Sequence, residues 1–406
     1  MSERVDCDVL VSGAGVVGMT VAALAHDAGA RVSLLEPHAI PAAPRGPTGV
    51  RTYNLTPAAR AVLEAVGAWS HLDLTRIGTF TAMAVWDAGS SGRIGFSLPP
   101  AASGAMGYIV EHDALVAALA ASLAGRRGVV WHNQAVQSLA AGPPPSVVLA
   151  DGSRLSARLA VAADGAQSTL RSAAGIAWHS VDYAQTALCC NVATACGHGA
   201  VARQRFLATG PIALLPLADA RACSVVWTTT PDAAARLAAG PEETCAQAIG
   251  EAVEHVLGAV TVTSARATFA LERAQAAACV SGRVVLAGDA AHVVHPLAGQ
   301  GLNLGLMDAA ALIECVGAPR DGAGPWPAPT ALRRYQRWRR SETLALVMVT
   351  DGLNRLFRVQ SAPLRALRGL GLDLTARAGP LKHWLIERAM GRAGDLPALA
   401  RVGPST

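Results

Sequence analysis

Residues 7–36 leave this chain few ways to fold. Cys7 to Ser12 is an apolar run suited to a buried strand. Gly13-Ala14-Gly15-Val16-Val17-Gly18 reads as a turn, Met19 to Ala28 as a helix capped by Gly29, and Arg31 to Glu36 as a second strand. A strand, a glycine-rich turn, a helix and a strand within about 30 residues form a βαβ unit with parallel strands and a right-handed crossover. The spacing Gly13-x-Gly15-x-x-Gly18 adds chemistry. Glycines permit a tight turn and let the backbone approach a pyrophosphate, while the first N–H groups of the helix, at Val16, Val17 and Gly18, favour an anion. Glu36 ends the second strand, where its carboxylate can accept ribose hydroxyls. A packing turn could share the glycines. With strand, helix and acid in place, the expected ligand is a dinucleotide.

A second stretch, residues 283–308, reads RVVLAGDAAHVVHPLAGQGLNLGLMD. Arg283 to Ala287 has the makings of a buried parallel strand that ends in Gly288-Asp289. A loop with Pro296, Gly299 and Gly301 follows, and an apolar helix begins near Leu302. A carboxylate at a strand's carboxyl end, facing a glycine-rich helix start, suits a ligand with hydroxyls and a partly negative ring, as a flavin has. Ala163-Asp164-Gly165 follows a third apolar strand and reads as another wall of the same crevice, because ligands in such sheets bind at the carboxyl ends of parallel strands. Arg51 lies near the ligand in this layout, although an exposed arginine before a helix is also commonplace. Only one Gly-x-Gly-x-x-Gly is present. A nicotinamide, if used, would therefore dock transiently in the shared crevice.

Between these segments, helices are expected over about 56–72, 109–125 and 241–257, and sheet over 77–98, 183–230 and 260–271. After 308 come helices broken at Gly317–Pro329, Pro363 and Pro380. The expected fold is α/β: a Rossmann-like dinucleotide domain (1–75, 100–180, 280–340), an inserted, mainly antiparallel β-sheet substrate domain (76–99, 181–279) and a C-terminal helical tail (341–406).

Charge is unevenly placed. The net charge is +5, but residues 331–406 hold fourteen Arg/Lys against five Asp/Glu, which leaves the rest of the chain net acidic. A basic tail suits an acidic partner or an anionic membrane surface, and no nucleic-acid-binding motif accompanies it. The segment 344–374 mixes apolar clusters with Arg355, Arg358, Arg365 and Arg368, which suits either a packed helix pair with a solvated basic face or a membrane-surface contact. The eight cysteines are scattered with no Cys-x-x-Cys, so they read as reduced thiols and no metal site is expected. The chain shows no signal-peptide pattern, and no apolar run reaches membrane-spanning length. The expectation is a cytoplasmic protein, with peripheral contact at the inner face of the cell membrane compatible with the tail.

Together, the Gly13–Gly18 turn, Ala163-Asp164-Gly165 and Gly288-Asp289 resemble the single-component flavin aromatic hydroxylases. The likeness narrows to the ubiquinone-biosynthesis hydroxylases through Arg51-Thr-Tyr-Asn-Leu-Thr-Pro, Gly107-Tyr-Ile-Val-Glu, Asp182-Tyr-Ala-Gln, Gln204-Arg-Phe and Gly210-Pro-Ile-Ala-Leu-Leu-Pro-Leu, with 295–306 and Tyr335-Gln-Arg-Trp-Arg-Arg. It spans nearly the whole chain. Departures are Ala163 for a usual glycine, Phe269-Ala270-Leu271 for Phe-Pro-Leu, and His112 for a frequent asparagine.

The resemblance implies FAD, with NAD(P)H or another reductant, and hydroxyl transfer from a flavin C4a-hydroperoxide to a polyprenylated phenol. It further implies that Gly13, Gly15, Gly18 and Glu36 hold the ADP half, that Arg51 and Asp164 flank the cofactor, that Asp289 bonds the ribityl chain after Gly288, and that Pro296 through Asn303, with Gly299, Gly301 and Leu302, wrap the ring. His295 beside Pro296 could bond the substrate phenol and help remove its proton, or could be a structural histidine. Partners implied are a lipophilic phenol, molecular oxygen and quinone-biosynthesis proteins, with oligomerisation left open. A hydroxylase of another small phenol, a flavin reductase and a non-catalytic flavoprotein scaffold remain alternatives.

Overall fold

The computed structural model describes residues 5–98, 104–140, 142–295, 299–319, 326–358, 387, 390–391 and 393–401. The expected tail breaks at Pro363 and Pro380, with Arg365 and Arg368, lie outside them, as does Pro296.

Two large sheets organise the molecule. The first runs, in spatial order, Val280–Ser281, Val284–Leu286, Arg154–Ala162, Cys7–Ser12, Val32–Leu35 and Val129–His132. All pairings from Val284–Leu286 to Val129–His132 are parallel. Cys7–Ser12 is buried throughout and Arg154–Ala162 over its last four residues, as strands covered on both faces must be. From Cys7–Ser12 the chain moves first toward Val32–Leu35 and later back to Arg154–Ala162. The strand order thus reverses beside Cys7–Ser12, and a crevice opens at the carboxyl ends there. Helices Val16–Asp27 and Gly301–Val316 pack together over this end.

The second sheet has nine strands, antiparallel except where Val201–Leu207 runs parallel to Ala82–Asp87. Its longest strand, Trp178–Thr194, shifts register between Asp182 and Gln185, where Ala184 takes φ 50°. One face is sealed by helix Glu242–Ala252 around Leu188, Cys190, Ile212 and Val225. The other face turns toward the crevice. A small sheet, Thr52–Leu55, Gly107–Glu111 and Gly78–Phe80, joins the two parts.

The architecture is the expected α/β fold, with local differences; among them, the helix expected over 241–257 runs only from Glu242 to Ala252, after an unexpected helix Pro231–Ala239. The helix expected from 109 begins at His112, because Gly107–Glu111 forms the middle strand of the small sheet. Its five residues are all buried between two partners, and its Ile and Val favour extended backbone. The helix expected over 56–72 ends at Ala65 and gives way to a short 3₁₀ turn, Trp69–His71, after Gly67 at φ 73°. The last helix runs unbroken from Pro329 to Arg358 and so crosses the expected tail boundary. Its first half buries Leu332 and Tyr335 against the parallel sheet's core. Its second half reaches the antiparallel sheet, where Phe357 stacks on Phe206 with centroids 3.9 Å apart. All eight cysteines are free thiols.

Candidate active site

A cavity of about 900 Å³ lies between the two sheets, bounded at one end by Gly13, Gly15 and Glu36 and at the other by the antiparallel sheet. Each of the three glycines in the first turn is required for a different reason. Gly13 has φ +98°, and a Cβ there would lie 2.5 Å from the Ala163 carbonyl oxygen. A Cβ on Gly18 would lie 1.9 Å from the Gly13 oxygen. Gly15 is different: a Cβ there meets nothing within 4 Å, so the backbone faces open cavity. It caps the helix Val16–Asp27 with no side-chain hydrogen bond, which leaves the first-turn N–H groups available to a ligand.

Three carboxylates stand on this wall. Glu36 accepts from the Ala14 N–H at 2.9 Å through one oxygen, which keeps a further acceptor site for a hydroxyl, while its other oxygen meets both the His38 N–H at 3.1 Å and His38 Nδ1 at 2.9 Å. Asp164 accepts from Ser12 Oγ at 3.2 Å and the Leu170 N–H at 3.3 Å through one oxygen. Its other oxygen is buried with no hydrogen-bond partner. A buried acceptor on a cavity wall calls for a donor from the ligand. Asp289 is exposed to the cavity, although protein crowds it on its other sides. Burial therefore raises its carboxyl above the ordinary range, and His292 and Arg51 offset only part of that.

Arg51 also lines the cavity, with its guanidinium 5.7 Å from the Tyr53 ring centroid. The loop before it is pinned from two sides. The Gly49 N–H donates to Glu111 at 2.6 Å, Arg76 pairs with Glu111 at 2.8 Å, and Asn191 donates to the Thr48 carbonyl at 2.7 Å. Gly299, Gly301 and Leu302 line the opposite wall, with Val16 and Val17 nearby.

Four expected site residues lie off the wall. Gly18 is sealed against Gly13. Gly288, at φ +61°, packs against Val17. Asn303 donates to the carbonyls of Asn54 at 2.8 Å and Gly299 at 3.1 Å and accepts from the Thr56 N–H at 2.9 Å, so it clamps the helix start to strand Thr52–Leu55. His295 is 1% exposed, and its ring meets the edge of Tyr183 at 4.9 Å. The Tyr183 hydroxyl donates to Asp351, which also pairs with Arg273. Val293 and Val294, the two residues before His295, do face the cavity.

Several cavity-lining groups receive no role from the sequence. Tyr53 and His112 both line the cavity and share a hydrogen bond of 3.0 Å. Burial raises the Tyr53 hydroxyl and lowers the His112 ring, with Arg51 pushing the ring further down. The far floor is built from alternate residues of the antiparallel sheet, among them Ala187, Cys189, Ala213, Val226 and Thr228. Burial pushes the Cys189 thiol up to about 11, so it stays protonated. Behind the Gly288–Asp289 turn, Asp308 joins His292 and Arg339. An acid within the apolar run Leu304–Leu312 of helix Gly301–Val316 is its local signal. Among the described residues, no His/Cys/Asp/Glu group could hold a metal ion.

The site fits FAD on two counts: the open cradle at Gly15 for a pyrophosphate and the unpartnered buried oxygen of Asp164 for a hydroxyl. Comparison with known proteins agrees. An FAD binding domain family model matches residues 6–350. The ubiquinone hydroxylase UbiL of Rhodospirillum rubrum is 35% identical over 396 residues, covering 95% of this chain and 89% of that protein. The mitochondrial ubiquinone biosynthesis monooxygenase COQ6 of Mus musculus is 34% identical over 438 residues, covering 93% and 90%. In fold, the crystal structure of p-nitrophenol 4-monooxygenase PnpA from Pseudomonas putida superposes with a TM-score of 0.74 at 20% identity, covering 96% of this chain and 99% of that one.

Proposed function

This chain belongs to the ubiquinone-biosynthesis hydroxylases, FAD-dependent monooxygenases, and from that premise we propose that it hydroxylates the ring of a polyprenylated phenol with molecular oxygen. The observation that carries this is the continuity of one cavity from the Gly15 cradle to the apolar floor at Ala187, Ala213 and Val226, which gives a dinucleotide and a greasy ring a common space.

FAD, when bound, supplies the activated oxygen. The residues around it would do the rest. The N–H groups after Gly15 would hold the pyrophosphate. Glu36, Asp164 and Asp289 would accept cofactor hydroxyls, and Arg51 would balance anionic charge. The helix start at Gly301 and Leu302 would offer N–H donors to the electron-rich edge of the ring. The apolar floor would exclude water, which protects a reactive oxygen species from wasteful decay. His295 stands behind Val293 and Val294, so its reading here is to shape that wall through Tyr183 and Asp351, not to touch the phenol. NAD(P)H or another reductant would supply electrons.

The same reading extends to a surface. On helix Pro329–Arg358, exposed Arg333, Arg334, Arg337 and Arg340 are followed on the same side by Leu344 (47% exposed) and Met348 (61%). A basic and apolar helix face suits peripheral contact with an anionic membrane that stores a lipid-tailed substrate. Among the described residues, no helix is long and apolar enough to cross a membrane.

The test of the activity is isotopic. Protein, reductant and a prenylated phenol under ¹⁸O₂ should give a hydroxylated product carrying the label. Label arriving from water would end the oxygen-insertion reading, and bound FAD with no product from any phenol would favour a scaffold.

A further inference from the structure

We propose that Asp308 is a positioning residue for the cofactor: it locks the Gly288–Asp289 turn so that the Asp289 carboxylate is aimed into the cavity. Asp308 is 1% exposed in the second turn of helix Gly301–Val316. One of its oxygens accepts the Gly288 N–H at 2.9 Å and His292 Nε2 at 2.6 Å. The other accepts Arg339 Nε at 2.6 Å. Arg339, 2% exposed, also donates to the Leu304 carbonyl at 3.3 Å. His292 is 3% exposed.

The three donors come from three places: the turn at the end of strand Val284–Leu286, the short strand His292–Val293, and helix Pro329–Arg358. Asp289 lies directly after Gly288 and three residues before His292, so Asp308 holds both ends of the segment that presents it. The turn also packs closely on helix Val16–Asp27: a Cβ on Gly288 would lie 3.0 Å from Val17 Cγ2. Burial works against charge on Asp308, but His292 and Arg339 outweigh it and hold the carboxyl below the ordinary range. A buried carboxylate is costly unless paired, and here its acceptors are used by three donors from separate elements. An asparagine of the same size has one carbonyl oxygen for three donors. Its amide would place N–H against N–H, so the turn would lose at least one anchor.

This inference rests on reading Asp289 as a cofactor ligand, and a double-mutant cycle separates the two. FAD is titrated into the full-length parent, Asp308→Asn, Asp289→Ala and the double variant, and the dissociation constant is read from flavin fluorescence. Asp308→Asn alone should weaken FAD on the order of tenfold, whereas in the Asp289→Ala background it should add under about twofold, since coupled residues do not act additively. A merely structural Asp308 would lower the melting temperature in both backgrounds and multiply the two losses of affinity. Multiplying losses overturn the positioning role and leave the Asp289 reading standing. Unchanged affinity in Asp289→Ala overturns both. If Asp308→Asn does not fold, Arg339→Lys carries the same cycle, because it keeps the charge and removes the planar fork that meets Asp308.

Discussion

The glycines of the first turn divide by what surrounds each one. Gly18→Ala must push a Cβ to within 1.9 Å of the Gly13 oxygen, so it should lower the melting temperature of the protein whether or not FAD is present. Gly15→Val meets no protein atom and should leave the fold intact. Its side chain would instead fill the pyrophosphate cradle and abolish FAD binding. Purified Gly15→Val that is colourless with a parental circular dichroism spectrum is the expected result, and a yellow protein would contradict the cradle assignment. Asp289 gives a second residue-scale outcome. Its folded-state carboxyl is raised by burial, so the stability it contributes is present below the ordinary carboxylate value of about 3.9 and is lost as pH rises through its raised value. At neutral pH the charge is a burden on the cofactor-free protein. Asp289→Asn should therefore raise the melting temperature of the FAD-free form at pH 7, with little change at pH 3, while weakening FAD. A lower melting temperature at pH 7 would refute the sign. Asp164 and Asp289 are legible in the sequence because each sits at a strand end next to a glycine, and Glu36 because it ends the second strand of the βαβ unit; both are local patterns. Asp308 and Arg339 are not, because their pairing spans 31 residues and is decided by how two helices pack.

At the scale of elements, what is legible follows the same division between local and distant. The βαβ unit, the three crevice strands and the helix after Gly301 all announce themselves through apolar runs bounded by glycine. Gly107–Glu111 does not. Its apolar residues fit a helix as readily as a strand, and only the two strands that flank it decide the matter. His295 likewise has the right chemistry in the right loop, yet whether its ring faces the cavity depends on Tyr183, which arrives from a distant strand at a register shift. The cavity floor is an element-scale property too. Ala187, Cys189 and Ala213 are small and face the cavity, whereas Leu188, Cys190 and Ile212, their alternates, face the helix side. Ala213→Phe should therefore keep its FAD and lose the phenol. Its NAD(P)H oxidation should persist and yield hydrogen peroxide in place of product, because a displaced substrate leaves activated oxygen to decay. Parental hydroxylation in this variant would show that the substrate does not lie on the sheet.

Across the whole molecule, helix Pro329–Arg358 ties the layers together. Arg339 reaches the Asp289 turn through Asp308, Asp351 holds Tyr183, Asn354 donates to Gln185 at 3.1 Å, and Phe357 stacks on Phe206. One side of this helix is thus committed to the interior from end to end. Its other side carries Arg333, Arg334, Arg337 and Arg340 and then Leu344 and Met348. On the proposed function, a lipid-tailed substrate would leave a membrane to reach the cavity, and the basic, greasy back of this helix is the surface we propose meets that membrane. Two forces would act together there, and salt separates them. Attraction between exposed arginines and anionic headgroups is screened within about 10 Å at 0.1 M ionic strength, whereas apolar insertion is not. Binding to vesicles containing phosphatidylglycerol should therefore fall steeply between low and high salt and be weak on phosphatidylcholine alone. Replacing Arg333, Arg334, Arg337 and Arg340 with glutamine should remove most of the salt-sensitive part. Leu344→Ser with Met348→Ser should remove the salt-resistant part, and both variants should retain FAD, because none of these side chains lines the cavity. Parental partitioning in both variants would show that this face is covered by something other than lipid.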